Sequence, residues 1–492
     1  MITLLAAAPL LFVLVAMTAL RWSAALAGAV GLGLALLLAA TAFDIAPGGA
    51  LPVPAALAGI LAEATHATAT ILWIILPALT LYEYQQRSGA LERFRTALSG
   101  ASGERTVQAL LIAFFFGLFM EGAAGFGTPV ALAAPLLVGI GFSAVRAVTL
   151  ALVGHAAGVS FGAVGTPVLA QIEISALPPL DLAAATAFLN LPLVLFLPFA
   201  LVVLAAGPKI GRHEAGLAGL AGLGFVLPYI GLAMIAGPEL PTLAGALIGL
   251  VPFVLIVRRR RGMMPFEAKS LLPDLLPYLL LVGLVLATRL IPALREALAG
   301  LVLRWELCGA FGASFAPLFH PGTLLVLSVA AGAVAARRQA LLGPSLRAAL
   351  DRLTTVGLAL LVMLTLSRVM VHSGMISALA ETAAEAGPVW PLLAASVGTI
   401  GTFVSGSATA SNILFTEFQI STAAALGLPP VAMAAAQGVG AGIGNIVAPH
   451  NIIAGCATVD LVGSEGSIMR RTAPICAVCL LAAGLAVFAA LG

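Results

Sequence analysis

Apolar stretches of membrane-spanning length, with few or no charges, recur from one end of this chain to the other. That recurrence limits the fold before any motif is considered, because a helix crosses the hydrocarbon core of a bilayer with about 20 mostly apolar residues. Such stretches cover residues 2–20, 24–43, 145–164, 182–206, 217–236, 271–290 and 474–491, with shorter ones between them. Only 9% of the 492 residues are charged while 61% are hydrophobic, which leaves no room for a sizeable soluble domain. The expectation is an all-α polytopic membrane protein with roughly 12 to 14 transmembrane helices, the shortest stretches being merged or re-entrant. The chain reads as a single membrane transport domain, 1–492. Its apolar start lacks a basic segment and a clear cleavage site, and reads as a retained first span.

Basic residues collect in connecting segments: 87–105, Lys209 with Arg212, 258–269, 337–352, and Arg470 with Arg471. This pattern marks cytoplasmic loops. The run 258–261 is read as that topological signal rather than an anionic-lipid or nucleic-acid site. The partners expected are therefore the lipid bilayer and a small solute, with no nucleic acid. Cys308, Cys456, Cys476 and Cys479 are scattered and have no histidines or second pair beside them, so packing is expected of them rather than metal or redox chemistry.

Shortness is informative where it recurs. The stretch 106–120 runs into E-G-A-A-G-F-G-T-P (121–129), and 389–404 runs into S-G-S-A-T-A-S-N (405–412). Each is followed by a second interruption, F-G-A-V-G-T-P (161–167) and G-I-G-N-I-V-A-P-H-N (442–451). Irregular backbone at membrane depth survives only where protein or a water-filled cavity satisfies it. Interrupted segments at corresponding places in two halves mark transporter binding sites. Small-residue runs also serve tight helix packing, which accounts for any one of these runs but less well for paired ones. The expected architecture is two structural repeats, inverted or parallel, with cores at about 68–206 and about 355–492 and middle helices at about 217–336.

A broken helix presents free N–H groups at one half-helix start and free carbonyls at the other end, attracting anions and cations respectively. Thr128, Ser405, Ser407, Thr409, Ser411 and the Asn412 amide would add neutral donors around Gly125 and Gly127. Glu121 stands where a membrane carboxyl group could take up a proton, or where it merely bonds to a helix end. His155 lies in an apolar stretch just before an interruption, suited to titration or to a structural bond. Arg368 and His372 are four apart and share a helix face, so both can reach one carboxylate; snorkelling is the alternative for Arg368. Glu417 and His450 flank the later interruptions. His66, His213 and His320 are read as lying in loops or near segment ends and are assigned nothing.

At these motifs the chain resembles the lactate permease family, which carries lactate, glycolate and related 2-hydroxy monocarboxylates with protons across bacterial inner membranes. The resemblance extends through P-L-L-V-G-I-G-F (135–142), G-P-E-L-P (237–241), H-S-G-M (372–375) and L-V-G-S-E-G (461–466), nearly end to end. It implies a proton-coupled importer with paired re-entrant hairpins, and a signature covering Glu121, Gly122, Gly125, Gly127, Thr128 and Pro129 together with Ser405, Ser407, Thr409, Ser411 and Asn412. The family's usual S-G-S-D-T-S-S-N has Ala408 here in its acidic place, and its usual G-K-M-I-S-P-Q has Asn445 in place of lysine, with Ala448 and His450 also differing. Joint loss is what an intramembrane ion pair would show. His155, Arg368 and Glu417 stand where neutral residues are usual.

The expected function is import of a small carboxylate by proton symport at a multi-pass inner-membrane protein. Glu121 and His155 are the coupling candidates, and Gly125, Gly127, Thr128, Ser405, Ser407, Thr409, Ser411, Asn412, Arg368 and His372 the substrate candidates. No cofactor is expected beyond the coupling proton, with sodium kept as the alternative. A sodium-coupled carrier of di- or tricarboxylates and an anion channel are the competing readings. No clear H-E-x-x-H or Walker-type G-K-[ST] motif occurs, so no enzymatic activity is expected. The sequence leaves the oligomeric state open, a homodimer included.

Overall fold

The computed structural model describes residues 2–45, 51–99, 102–125, 127–261 and 268–491, and they form a multi-pass helical membrane protein. Phe126 of the first interruption and residues 262–267 of the basic run lie outside the described residues. Among the described residues 11 helices are long and apolar enough to span a bilayer; joining Pro179–Leu189 and Leu191–Ala206, bent by 41°, makes it 12. Other apolar stretches form the shorter helices Ile2–Thr18, Thr128–Gly139, Pro321–Ala335 and Met375–Ala384.

Two helices are much longer than the apolar stretches 68–81 and 355–371 imply. Val53–Arg87 runs for 35 residues and Leu342–His372 for 31. Their polar residues resemble loop positions in sequence, yet they are partnered. Arg352 Nη2 lies 3.0 Å from Glu83 Oε1, and His66 Nε2 lies 3.5 Å from Glu173 Oε1. His66 is thus inside a helix rather than near a segment end. Lateral pairing of this kind is what lets ionisable residues remain in a membrane bundle.

One element is not helical. Leu303–Leu307 and Phe311–Phe315 form an antiparallel hairpin, with Trp305 opposite Ala313. It is fixed to the bundle: Trp305 Nε1 donates to His66 Nδ1 at 3.1 Å, and Phe311 lies over Gly59, where a Cβ would come within 2.1 Å of the ring. Indole nitrogen can only donate, so this contact requires a bare His66 Nδ1.

Burial identifies the centre of the bundle. The apolar windows of Arg105–Ala123 and Ala144–Ser175 are wholly buried, and that of Pro430–Ala457 is 83% buried, against 28% for Glu465–Leu491. The innermost segments are therefore interrupted ones. Close approach explains several of their glycines. A Cβ on Gly154 would sit 2.1 Å from the Ala113 carbonyl, in a π-helical turn at Leu110–Phe116, and one on Gly440 would sit 1.9 Å from the Ala395 carbonyl. Small residues permit such contact where the hydrophobic effect gives helices no net attraction.

Candidate functional site

The first interruption follows Gly117–Ala123. Gly125 (φ +59°) and Gly127 (φ +78°) adopt left-handed backbone, which costs glycine little. Gly127 then caps Thr128–Gly139, whose Pro129 is tolerated in the first turn but could not continue a preceding helix. The Thr128 hydroxyl donates to the Gly125 carbonyl at 2.8 Å and tightens the turn.

Glu121 projects from the end of the first half-helix and is 4% exposed. A Cβ built on Gly162 would fall 2.2 Å from Glu121 Oε1, and one on Gly125 3.5 Å from it, so the carboxyl group lies between the two interruptions of the first half. Its Oε2 is 4.0 Å from His155 Nε2. His155 Nδ1 is 2.7 Å from the Ala151 carbonyl. A carbonyl only accepts, which assigns the hydrogen to Nδ1 and leaves Nε2 as the atom that can take or give a proton.

The second interruption stores strain. Between Ala156–Phe161 and the continuing helix, Ala163 (φ +43°), Val164 (φ +55°) and Gly165 (φ +80°) are all left-handed. For alanine and a β-branched valine this conformation costs on the order of 1–3 kcal/mol each and persists only when surroundings enforce it. Packing does so here: a Cβ on Gly165 would lie 2.4 Å from the Pro238 carbonyl.

In the second half Trp390–Ser405 ends at Gly406 (φ +68°), and Ala408–Leu426 begins with Ser407 as its cap, accepting from Ala410 N at 3.3 Å. Several hydroxyl groups are committed within the backbone. Ser405 donates to the Gly401 carbonyl at 2.7 Å and is 3.0 Å from that of Ser407, while Ser411 donates to Gly398 at 2.9 Å. Gln437 also donates to Ser411 Oγ, at 3.2 Å. Thr409 is buried. Pro430–Gly444 ends in three turn residues before Pro449–Ala457, where the Asn451 amide donates to Asn445 Oδ1.

These interruptions meet. Asn412 Nδ2 donates to the Pro167 carbonyl at 3.0 Å, and Ser160 Oγ to the Gly438 carbonyl at 3.2 Å. A Cβ on Gly127 would be 3.3 Å from Asn451 Oδ1, and one on Gly406 2.8 Å from His450 Cβ. Ala408 packs with Val159 and Ala441. Residues 245 and 278 apart in sequence thus border one another at the centre of the bundle, within which Asn412 Oδ1 and Thr402 Oγ1 are buried without a hydrogen-bond partner among the described residues.

Arg368 and His372 belong to a separate charged cluster. His372 Nε2 is 3.1 Å from Glu63 Oε2, and Arg368 lies 3.9 Å from the same oxygen, 3.6 Å from Glu417 Oε1, and donates to the Ile174 carbonyl at 2.7 Å. The shared helix face does bring both to one carboxylate, but that carboxylate belongs to the protein. Glu63 was not singled out in the sequence; its only signal was an acid in a stretch flanked by apolar residues. Glu417 joins this cluster, while His450 is exposed beside Gly406. His213 pairs with Glu104 at 2.9 Å and His320 caps Pro321–Ala335. No group of three or more histidine, cysteine, aspartate or glutamate side chains suited to a metal occurs among the described residues.

The L-lactate permease family profile matches residues 2–491. The L-lactate permease of Bacillus subtilis is 27% identical over 95% of this chain and 92% of its own length. The L-lactate permease of Streptococcus iniae is 29% identical over 88% and 93%, and the glycolate permease GlcA of Escherichia coli 29% over 95% and 92%. Two solved structures have the same fold. The YdaH transporter of Alcanivorax borkumensis aligns with a TM-score of 0.52 at 14% identity, covering 93% of this chain and 95% of that one. MtrF of Neisseria gonorrhoeae, from a class described as antimetabolite efflux pumps, aligns at 0.53 and 17%, covering 96% and 95%.

Proposed function

The chain belongs to the L-lactate permease family, and we propose that it imports a small carboxylate, a 2-hydroxy monocarboxylate such as lactate or glycolate, across the cell inner membrane by proton symport. The names of its relatives support the substrate class. The observation that carries the coupling is the position of Glu121: a buried carboxyl group inside the first interruption, 4.0 Å from the free ring nitrogen of His155.

A carboxylate substrate brings one negative charge into a region where permanent charge is costly. A proton held between Glu121 and His155 cancels the charge of the Glu121 carboxylate, so the loaded site crosses the low-dielectric region with the substrate's single negative charge rather than two. The half-helix start at Thr128, the turn at Gly125 and Gly127, the Ser407 hydroxyl and the second Asn412 amide hydrogen supply neutral donors for the anion, while Ser405 and Ser411, whose hydrogens go to backbone carbonyls, shape the break around it. His155 Nδ1 is engaged by Ala151, which leaves Nε2 to exchange the proton with Glu121.

Uptake of labelled lactate or glycolate into proteoliposomes under an imposed pH gradient tests this reading. Accumulation should follow the gradient and collapse with an uncoupler. Uptake that requires sodium and ignores the uncoupler overturns the proton assignment.

A further inference from the structure

A cavity of about 470 Å³ lies beneath the hairpin, walled in part by Glu173, Ser314, Phe319, Glu239 and Arg289. That volume falls within the usual range for small-molecule sites. Its inner wall carries an incompletely bonded ion pair. Arg289 Nη2 donates to Glu239 Oε1 at 2.6 Å, yet Arg289 Nη1 and Glu239 Oε2 are both buried and without a hydrogen-bond partner among the described residues. Guanidinium and carboxylate ordinarily satisfy each other through two parallel bonds, and burying the pair with a vacancy on each side is costly. The guanidinium is held with its carbon 3.9 Å from the centre of the Phe319 ring, which fixes its position against the cavity wall.

The same wall touches the interrupted helix. Pro238 and Glu239 supply the backbone against which Gly165 packs, with a Cβ there 2.4 Å from the Pro238 carbonyl and 3.1 Å from the Glu239 nitrogen. The cavity and the interruption at 163–165 are therefore separated by the segment that bears Glu239.

We propose that this cavity is a carboxylate-binding antechamber, in which an incoming small monocarboxylate becomes a partner of Arg289 in competition with Glu239. The inference rests on the carboxylate transport proposed above for its biological meaning, while the binding event stands by itself. Because Arg289 Nη1 is buried, a planar carboxylate reaches the guanidinium by displacing Glu239 from Nη2 rather than at a free edge. Glu173 and Asp181 also line the cavity, with Arg295 as a second cation, so a second negative charge on the ligand is disfavoured and monocarboxylates are selected over dicarboxylates.

Ser314 lies in the cavity wall and is exposed, and Cys308 is the exposed native cysteine whereas Cys456, Cys476 and Cys479 are buried. Cys308→Ser/Ser314→Cys protein in proteoliposomes is to be labelled with a membrane-impermeant maleimide in the presence of lactate, acetate or succinate. Lactate and acetate should slow labelling saturably, with succinate weaker. Arg289→Gln should raise the protecting concentration about ten- to a hundredfold, the value of a charge-assisted bond. Glu239→Gln should lower it, because the competing carboxylate is removed; a purely structural pair would not give opposite effects. The double variant Arg289→Gln/Glu239→Gln strands neither charge and serves if Arg289→Gln does not fold; it too should lose protection. Absence of protection, or protection indifferent to Arg289, overturns the proposal. Protection without lactate uptake would count against the transport reading alone, and uptake without protection against the antechamber alone.

Discussion

A methyl group added at Gly162 probes how closely the Glu121 carboxyl group must be placed. The ideal Cβ falls 2.2 Å from Glu121 Oε1 and 3.1 Å from its Cδ. Carbon and oxygen approach to roughly 3.3 Å, so the carboxyl group must retreat by about 1 Å. Gly162 has φ −65° and ψ 160°, which alanine adopts freely, and the effect of Gly162→Ala is therefore steric. The displaced atom is the end of a side chain rather than backbone, so the variant should fold. Overpacking of a buried site costs roughly 1–3 kcal/mol, and each 1.4 kcal/mol is about a factor of ten. Proton-driven lactate uptake should fall about five- to a hundredfold, measured as initial rates in proteoliposomes at matched protein density. In a Glu121→Ala background the same methyl should cost almost nothing, read as the change in apparent melting temperature. Wild-type uptake by Gly162→Ala, or an equal melting penalty with and without Glu121, would refute the placement. Gly165→Ala is the contrasting case: at φ +80° and 2.4 Å from a backbone carbonyl, it should yield little folded protein.

The remaining predictions concern charge. Glu417→Gln leaves Arg368 the Ile174 carbonyl and Glu63 and should be mild, whereas Glu63→Gln/Glu417→Gln strands the guanidinium at a cost of about 3–5 kcal/mol; size-exclusion yield should collapse and recover on adding Arg368→Gln. Ala408 packs on Ala441, one helical turn from Asn445, so Ala408→Asp and Asn445→Lys should each impair uptake more than the two combined, and equal effects would exclude a pair there. Burial and then the Arg289 charge lower the His320 imidazole to about 4, against about 6.5 when free. Its contribution to stability is present above pH about 6.5 and is lost as pH falls towards 4. His320→Asn, which keeps a capping acceptor, should flatten the acid side of the melting-temperature profile between those values.

What was legible in the sequence was local. Gly127 before Thr128 and Pro129, and Gly406 before Ser407, announce interruptions through backbone chemistry alone, and the structure breaks its helices there. The spacing of Arg368 and His372 announced a shared face, but not that the carboxylate they meet is Glu63, 309 residues from His372. Hydropathy underestimated Val53–Arg87 for the same reason: Glu63, His66 and Glu83 look like loop residues until their partners on other helices are known. The hairpin escaped because Leu303–Leu307 and Phe311–Phe315 are five residues each, too short for alternation to stand out from apolar surroundings.

The long-range bonds also constrain how the interruptions can move. Asn412 to Pro167, Ser160 to Gly438, and Gln171 to both Thr416 and Ala434 all join the first half of the chain to the second, and all are buried. Pulling the halves apart exposes each of these groups to a region that offers no water unless the substrate path brings it in, at about 1–3 kcal/mol per orphaned group. The strained left-handed turn at Ala163, Val164 and Gly165 is held by packing against Pro238 and Glu239 and would relax if that packing were released. A motion that keeps the interruptions together avoids both losses and places the change elsewhere, at contacts such as the Glu239–Arg289 pair, where each partner already has a bonding position unused.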